Sequence, residues 1–199
     1  MTKPEGPIVL VDMDGVLADF DAAFHETVRE QYPHATMLDP LPDPPSFYAS
    51  QAYPGEYQSE LRAISNAEHF FARLPVIPDA IEGWQRIIDE GFQPQICSSP
   101  IKSNPYSKRE KLGWLEEHLA PVFGSWVVET AIITSDKFHH NGAALIDDRP
   151  TLPHADIARW YHVLFDRPCN RYVETDLRLM NWSDPNLGSI LRRTVQLAD

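Results

Sequence analysis

Two carboxylates, Asp12 and Asp14, follow an apolar run and precede a glycine in Val11-Asp12-Met13-Asp14-Gly15-Val16-Leu17. Carboxylates delivered in this way can share one hard divalent cation through oxygen ligands. Alone, the string reads equally well as an acidic turn in which Asp14-Gly15 only redirects the chain. Three further groups tip that balance. In Ile96-Cys97-Ser98-Ser99-Pro100 an apolar run stops at two hydroxyls, which with nearby backbone N–H groups can hold a phosphoryl oxygen, although a plain Ser-Pro turn explains the string too. Lys137, in Thr134-Ser135-Asp136-Lys137, lies just beyond another apolar run, where an exposed lysine is the ordinary expectation. In Leu145-Ile146-Asp147-Asp148-Arg149-Pro150 the two adjacent aspartates repel each other unless a cation or Arg149 relieves them, so a metal accounts for them better than a solvated turn.

Each of these groups stands at the end of a short apolar run. Ile8 to Val11, Ile96-Cys97, Ala131 to Ile133, Ala144 to Ile146 and His162 to Phe165 read as strands buried on both faces, with Trp160 to Phe165 as the last of them. Helical patterns lie between. Asp79 with Glu82 predicts a capping box ahead of Trp84, Ile87 and Ile88, with Gly91 past the end, and Asn104-Pro105 opens a helix carrying Leu112, Leu115 and Leu119. Arg192-Arg193 reads as a solvated helix end. Alternating strands and helices imply an α/β fold with a doubly wound parallel sheet, which binds ligands outside the carboxyl ends of its strands.

Residues 22–76 interrupt that alternation. A helical opening from Ala22 to Tyr32 gives way to a stretch rich in proline, with Pro33, Pro40, Pro42, Pro44, Pro45 and Pro54, so no long regular element is expected between His34 and Tyr57. Phe47, Tyr48, Tyr53 and Tyr57 argue against a flexible linker. The expected division is a core of residues 1–21 and 77–199 with a small cap, 22–76, inserted after the first strand.

With 199 residues the chain suits one domain, able to hide roughly 70% of its extended surface without staples. Seventeen basic against 29 acidic residues give a net charge of −12, which repels a nucleic-acid backbone, and no basic stripe overrides it. A small anion is still admissible, since a few placed cations can hold one phosphate. The two cysteines, Cys97 and Cys169, form neither a disulfide framework nor a zinc pattern, which with the absence of a signal peptide or membrane span suggests a cytoplasmic protein. Eight histidines form no H-E-x-x-H or spaced Cys/His cluster, and no Gly-rich nucleotide loop or G-x-S-x-G elbow occurs.

Taken in order, Asp-x-Asp, a serine, a lysine and a late acidic pair resemble the four motifs of the haloacid dehalogenase (HAD) superfamily of phosphatases. The resemblance is closer still to the 5′(3′)-deoxyribonucleotidases in Asp12 to Phe20, Ser98-Ser99-Pro100-Ile101-Lys102, Phe47-Tyr48, Phe70-Phe71, Asp136-Lys137 and Leu145 to Pro150. It spans approximately residues 8–190, with Ser98 and Ser135 standing where members often carry Thr and Arg. The resemblance implies a HAD-like, Rossmannoid core and a Mg²⁺-dependent hydrolysis of nucleoside monophosphates. In it Asp12 is the nucleophile that forms a phospho-aspartyl intermediate, and Asp14 is the acid for the leaving oxygen and then the base for water. Mg²⁺ sits on Asp12, the Asp14 carbonyl and one of Asp147 and Asp148, with Ser98, Ser99 and Lys137 on the phosphoryl oxygens. Phe20, Phe47, Tyr48 and Arg149 form the substrate pocket, and a homodimer is expected. Two other readings stay open: a phosphatase for a sugar phosphate or other small phosphomonoester, and a nucleotide-binding module without catalysis. The intact acidic set argues against the second, and the character of the cap divides the first from a nucleotidase.

Overall fold

The computed structural model of the protein describes residues 2–34 and 46–198, so the expectations for Pro40, Pro42, Pro44 and Pro45 lie outside the described residues. Six strands form one parallel sheet: β1 (Ile8–Val11), β2 (Gln93–Ser98), β3 (Ile132–Ile133), β4 (Ala144–Asp147), β5 (Tyr161–Phe165) and β6 (Arg178–Leu179), in the spatial order β3-β2-β1-β4-β5-β6. β1 is central, and the chain winds outward from it first on one side and then on the other. The carboxyl ends of β1 and β4 therefore flank the point where strand order reverses, the place where such sheets leave a crevice.

Alternation along the strands divides the core. Val9 and Val11, Ile96, Ala144 and Ile146 join a large cluster, while Leu10, Cys97 and Leu145 join a smaller one closed by Leu152 and Trp160. The large cluster takes the apolar faces of the long helices, α1 (Phe20–Gln31), α3 (Ala80–Asp89), α4 (Ser107–His118) and α7 (Leu187–Ala198). Shorter helices α2 (Gln58–Leu61), α5 (Ala120–Phe123) and α6 (Trp126–Glu129) fill the connections. Trp84 and Trp114 are completely buried, and emptying either site by truncation to alanine costs about 3–5 kcal/mol. Both cysteines are buried and unpaired, and burial pushes the Cys97 thiol up to about 12 and Cys169 to about 11, which keeps them inert.

Three local expectations are corrected. Asp79 does not make a capping box: its backbone is left-handed (φ 61°), which turns the carboxylate from the first amides of α3, and the carboxylate instead accepts the Ser183 hydroxyl at 2.5 Å. β5 is not the last strand, because Arg178–Leu179 adds β6 beyond it. Arg178 splits the apolar residues Leu177, Leu179 and Met180, so no continuous apolar run marks the strand. Arg192 and Arg193 are not a helix end but exposed positions within α7, paired with Glu90 and Asp176.

The segment between β1 and α3 opens with α1. Asp19 caps it by accepting the Ala22 amide at 3.2 Å, and Phe24 and Val28, four residues apart, are its buried face. Its remaining described elements are α2 and three short 3₁₀ turns, Ala49–Ala52, Ile64–Asn66 and Phe71–Arg73. Glu110 of α4 accepts the His69 and Phe71 amides at 2.7 and 3.1 Å, and Trp114 donates to the Leu74 carbonyl at 2.8 Å. One helix thus clamps the returning end of the segment onto the core.

Candidate active site

Parallel strands point their carboxyl ends the same way, and each chemical group identified in the sequence leaves one. The Asp12 amide prolongs the β1 ladder by donating to Ile146 at 2.9 Å, Ser98 ends β2, Lys137 opens the turn beyond β3, and Asp147 ends β4 with Asp148 next to it. After Asp12 the chain coils tightly, with the Met13 carbonyl accepting the Leu17 and Ala18 amides at 2.8 Å each. Trp182 donates to the Val16 carbonyl at 2.6 Å and pins that coil from behind. Gly15 is required there twice over: its φ is +72°, and a Cβ would stand 2.0 Å from Asp148 Oδ2.

Two buried lysines organise the carboxylates. Lys137 Nζ bridges Asp12 Oδ1 at 2.9 Å and Asp147 Oδ2 at 2.6 Å, and it is only 6% exposed. Lys111, fully buried on α4, donates to Asp14 Oδ2 at 2.7 Å, to Ser98 Oγ at 2.8 Å and to the Ser99 carbonyl at 2.9 Å. Sequence reasoning missed Lys111, because Ser107-Lys108-Arg109-Glu110-Lys111 reads as a charged helix face. Its phase was the available signal: Lys111 lies four residues from both Ser107 and Leu115, on the stripe that α4 buries.

The charges shift one another's protonation. Burial raises the Asp12 carboxyl, but Lys137 and Lys111, with the Ser98 hydroxyl, outweigh it and hold Asp12 below the usual carboxylate range. Asp14 moves the other way: burial raises it, Lys111 opposes, and the negative Asp12 adds to the rise. Two carboxylates two residues apart are thereby shifted in opposite directions, a difference that would suit a nucleophile beside an acid. Lys137 is raised despite burial because Asp12 and Asp147 surround it.

The adjacent aspartates of β4 differ. Asp147 is committed, with Oδ2 on Lys137 and Oδ1 accepting the Arg149 amide at 2.9 Å. Asp148 Oδ1 is buried with no hydrogen-bond partner among the described residues, and burial followed by the charges of Asp147 and Asp12 pushes this carboxyl well up. Oxygens of Asp12, Asp147 and Asp148 lie within 4.8 Å of one another. A buried acid with an orphaned oxygen among like charges fits a hard divalent cation, so this donor set is compatible with a metal. Among the described residues no other trio of His, Cys, Asp or Glu is so arranged.

A cleft of about 740 Å³ opens over these groups, within the size range of small-ligand sites. Asp12, Asp14, Ser99, Lys137 and Asp148 line its floor, while Ser98 lies beneath it, fully buried. Phe20, Phe47, Tyr48 and Arg149 line the same cleft. The Arg149 guanidinium stands 4.8 Å over the Phe47 ring, and Tyr48 meets that ring edge-on at 5.6 Å while remaining 56% exposed. Phe20 differs from them in packing against Phe24, Phe70 and Phe71. No helix among the described residues is long and apolar enough to cross a membrane.

Known proteins resemble this chain over most of its length. The model of the family described as 5′ nucleotidase, deoxy (pyrimidine), cytosolic type C protein matches residues 6–194. A Bordetella bronchiseptica protein provisionally named 5′(3′)-deoxyribonucleotidase is 36% identical over 189 residues, covering 93% of this chain and 98% of its own. The human protein named 5′(3′)-deoxyribonucleotidase, cytosolic type, is 35% identical over 184 residues, with 88% and 89% covered. Among solved structures, a Burkholderia xenovorans protein described as a haloacid dehalogenase-like hydrolase superposes with a TM-score of 0.50 at 16% identity, covering 96% of this chain and 99% of its own, a likeness of fold alone.

Proposed function

The chain belongs to the family of cytosolic type C 5′-nucleotidases, and from that premise we propose that it cleaves nucleoside monophosphates, deoxyribonucleotides among them, to nucleoside and phosphate. It is a phosphoric monoester hydrolase. The observation that carries the reading is the pairing of Asp12 and Asp14 on one cleft, each with its own buried lysine, at 2.9 Å from Lys137 and 2.7 Å from Lys111.

Asp12, kept ionised, attacks phosphorus. A P–O bond forms to its carboxylate as the bond to the sugar 5′-oxygen breaks, giving a phospho-aspartate. Asp14 supplies the proton to that leaving oxygen and then accepts one from the water that releases phosphate from Asp12. Lys111 holds Asp14 Oδ2, which leaves Oδ1, buried and without a hydrogen-bond partner, to carry the proton. Lys137 balances Asp12 in the free enzyme and, with Ser99 just past the end of β2, holds the phosphoryl oxygens when substrate binds, while Ser98, buried below, positions Lys111. Asp12, Asp148 and the Asp14 carbonyl would hold Mg²⁺, whose charge offsets that of the phosphate when bound.

The aromatic wall of Phe20, Phe47 and Tyr48 favours a planar base over a bare sugar, because ring faces stack on a base and offer a sugar hydroxyl no partner. Residues 22–76, as a cap, would supply most of that wall. The free buried thiols suit a cytoplasmic setting. A panel of phosphomonoesters assayed with Mg²⁺, and again after EDTA, tests the whole reading. Deoxyribonucleoside monophosphates are expected to lead the panel and to fall to background without metal. Sugar phosphates turned over faster than any nucleotide would overturn the substrate assignment.

A further inference from the structure

The carboxylate of Asp148 has an unusual difficulty. Asp147, its neighbour, is aimed by bonds to its own oxygens, whereas Asp148 has no ion pair among the described residues and Oδ1 has no hydrogen-bond partner. A side chain without its own ties is aimed by its backbone. That backbone lies one residue past the end of β4, so sheet hydrogen bonds no longer determine it.

We propose that Asn170 is the positioning residue that sets Asp148 for cation binding. Asn170 closes the 3₁₀ turn Pro168–Asn170 that follows β5, and it is fully buried. Its Nδ2 donates to the Asp148 carbonyl at 2.8 Å and to the Phe165 carbonyl at 2.7 Å. Its Oδ1 accepts from the Arg167 amide at 3.1 Å and from Arg178 Nη1 at 2.9 Å. Both amide ends are thus occupied with opposite polarity, and reversing the amide would set oxygen against two carbonyls and nitrogen against two donors. One orientation is allowed.

The hub is itself braced. Arg178 donates from Nη2 to the Asn170 carbonyl at 3.2 Å and to the Val173 carbonyl at 2.5 Å, and from Nη1 to Asp166 Oδ1 at 2.7 Å. Two strand ends, Phe165 of β5 and the residue following β4, are in this way tied through one side chain. On the opposite side of Asp148 the missing Cβ of Gly15 leaves the space that the carboxylate occupies. Asn170 holds the main chain, Gly15 makes room for the side chain, and Oδ1 is left facing no protein partner. The precision of about 0.5 Å that such a site demands of its oxygens is then supplied by groups that never touch the cation.

This assignment rests on the reading of Asp148 as a cation ligand, and the test separates the two. Mn²⁺, followed by the loss of its free electron-paramagnetic-resonance signal on titration with substrate-free protein, serves as the probe, with melting temperature measured alongside. Asn170→Ser keeps the net charge but leaves a short hydroxyl that reaches at most one carbonyl. It is expected to weaken Mn²⁺ binding about tenfold or more. Thr194→Val, which removes the buried hydroxyl bond to the Leu191 carbonyl in α7, is expected to lower the melting temperature with Mn²⁺ affinity unchanged. If Asn170→Ser behaves like Thr194→Val, losing stability with parental Mn²⁺ affinity, Asn170 is structural only and the proposal is overturned. Should Asn170→Ser fail to fold, Arg178→Lys keeps the charge and loosens the fork that braces Asn170; several-fold weaker Mn²⁺ binding supports the proposal, and parental binding overturns it. Asp148→Asn guards the premise. Parental Mn²⁺ binding in Asp148→Asn removes the cation reading itself, whereas lost binding there with parental binding in the Asn170 or Arg178 variant removes the positioning role alone.

Discussion

At the strand ends, one buried ammonium group links Asp12 and Asp147 at 2.9 and 2.6 Å, and a second, also buried, links Asp14, Ser98 and Ser99 within 2.9 Å. Across the same cleft, Tyr48 is more than half exposed, and Phe47 meets Tyr48 and Arg149 through ring contacts of about 5 Å that carry no directional bond. On the proposed function the two walls serve different demands. Bond making at phosphorus tolerates little displacement, so its groups are locked by charge-assisted hydrogen bonds in a low dielectric. Stacking on a flat base tolerates sliding, so its rings can be held loosely and replaced with modest loss.

Substitutions that cross this divide should have graded effects. Asp12→Asn is expected to abolish turnover while the fold survives, since an amide forms no phospho-enzyme and its neutrality relieves repulsion from Asp147 and Asp148. Turnover near that of the parent, measured with trapping of the phosphorylated protein, would remove Asp12 as nucleophile. Lys137→Met should abolish activity as well but with a falling melting temperature, because breaking a buried ionic cluster from one side costs about 3–5 kcal/mol. Equal melting temperatures for Lys137→Met and parent would show that Asp12 and Asp147 do not depend on it.

Asp14→Asn sharpens the acid role. A large loss is expected with nucleotides and a smaller one with activated aryl phosphates, whose leaving groups need little protonation. Equal losses on both would contradict that role. On the opposite wall, Phe47→Ala should lower kcat/KM for a nucleoside monophosphate by about tenfold, as losing a stack worth roughly 1–3 kcal/mol requires, and leave a base-free phosphate ester nearly unchanged. Parallel losses on both substrates with reduced stability would make Phe47 a packing residue and blur the distinction between the walls. The smallest effect belongs to neither: Arg193→Ala removes an exposed pair with Asp176 and should change stability by about 1 kcal/mol at most in a thermal melt.

What was legible followed from local chemistry. Asp12, Ser98 and Asp147 each close an apolar run, and a polar group at the end of a buried strand is visible because hydrophobicity stops abruptly there. β6 was not, since the charged Arg178 breaks its apolar run, and the capping box at Asp79 failed because a positive φ cannot be read from residue type. Lys111 escaped for a different reason. A charged residue in a charged stretch looks solvated until the buried phase of the helix is known.

Sequence order by itself determined the strand-end chemistry, the sheet class and the aromatic content of residues 22–76, because residue type, spacing and periodicity are all local quantities. Only the tertiary structure decided which lysine serves which carboxylate, and which member of the Asp147-Asp148 pair is left without a partner. Lys111 meets Asp14 across 97 residues of chain, and Asn170 reaches the Asp148 carbonyl across 22. Contacts of that range arise from how helices and turns dock on the sheet, and electrostatic partnership follows from distance in space and exclusion of water, neither of which is encoded in the spacing of letters along the chain.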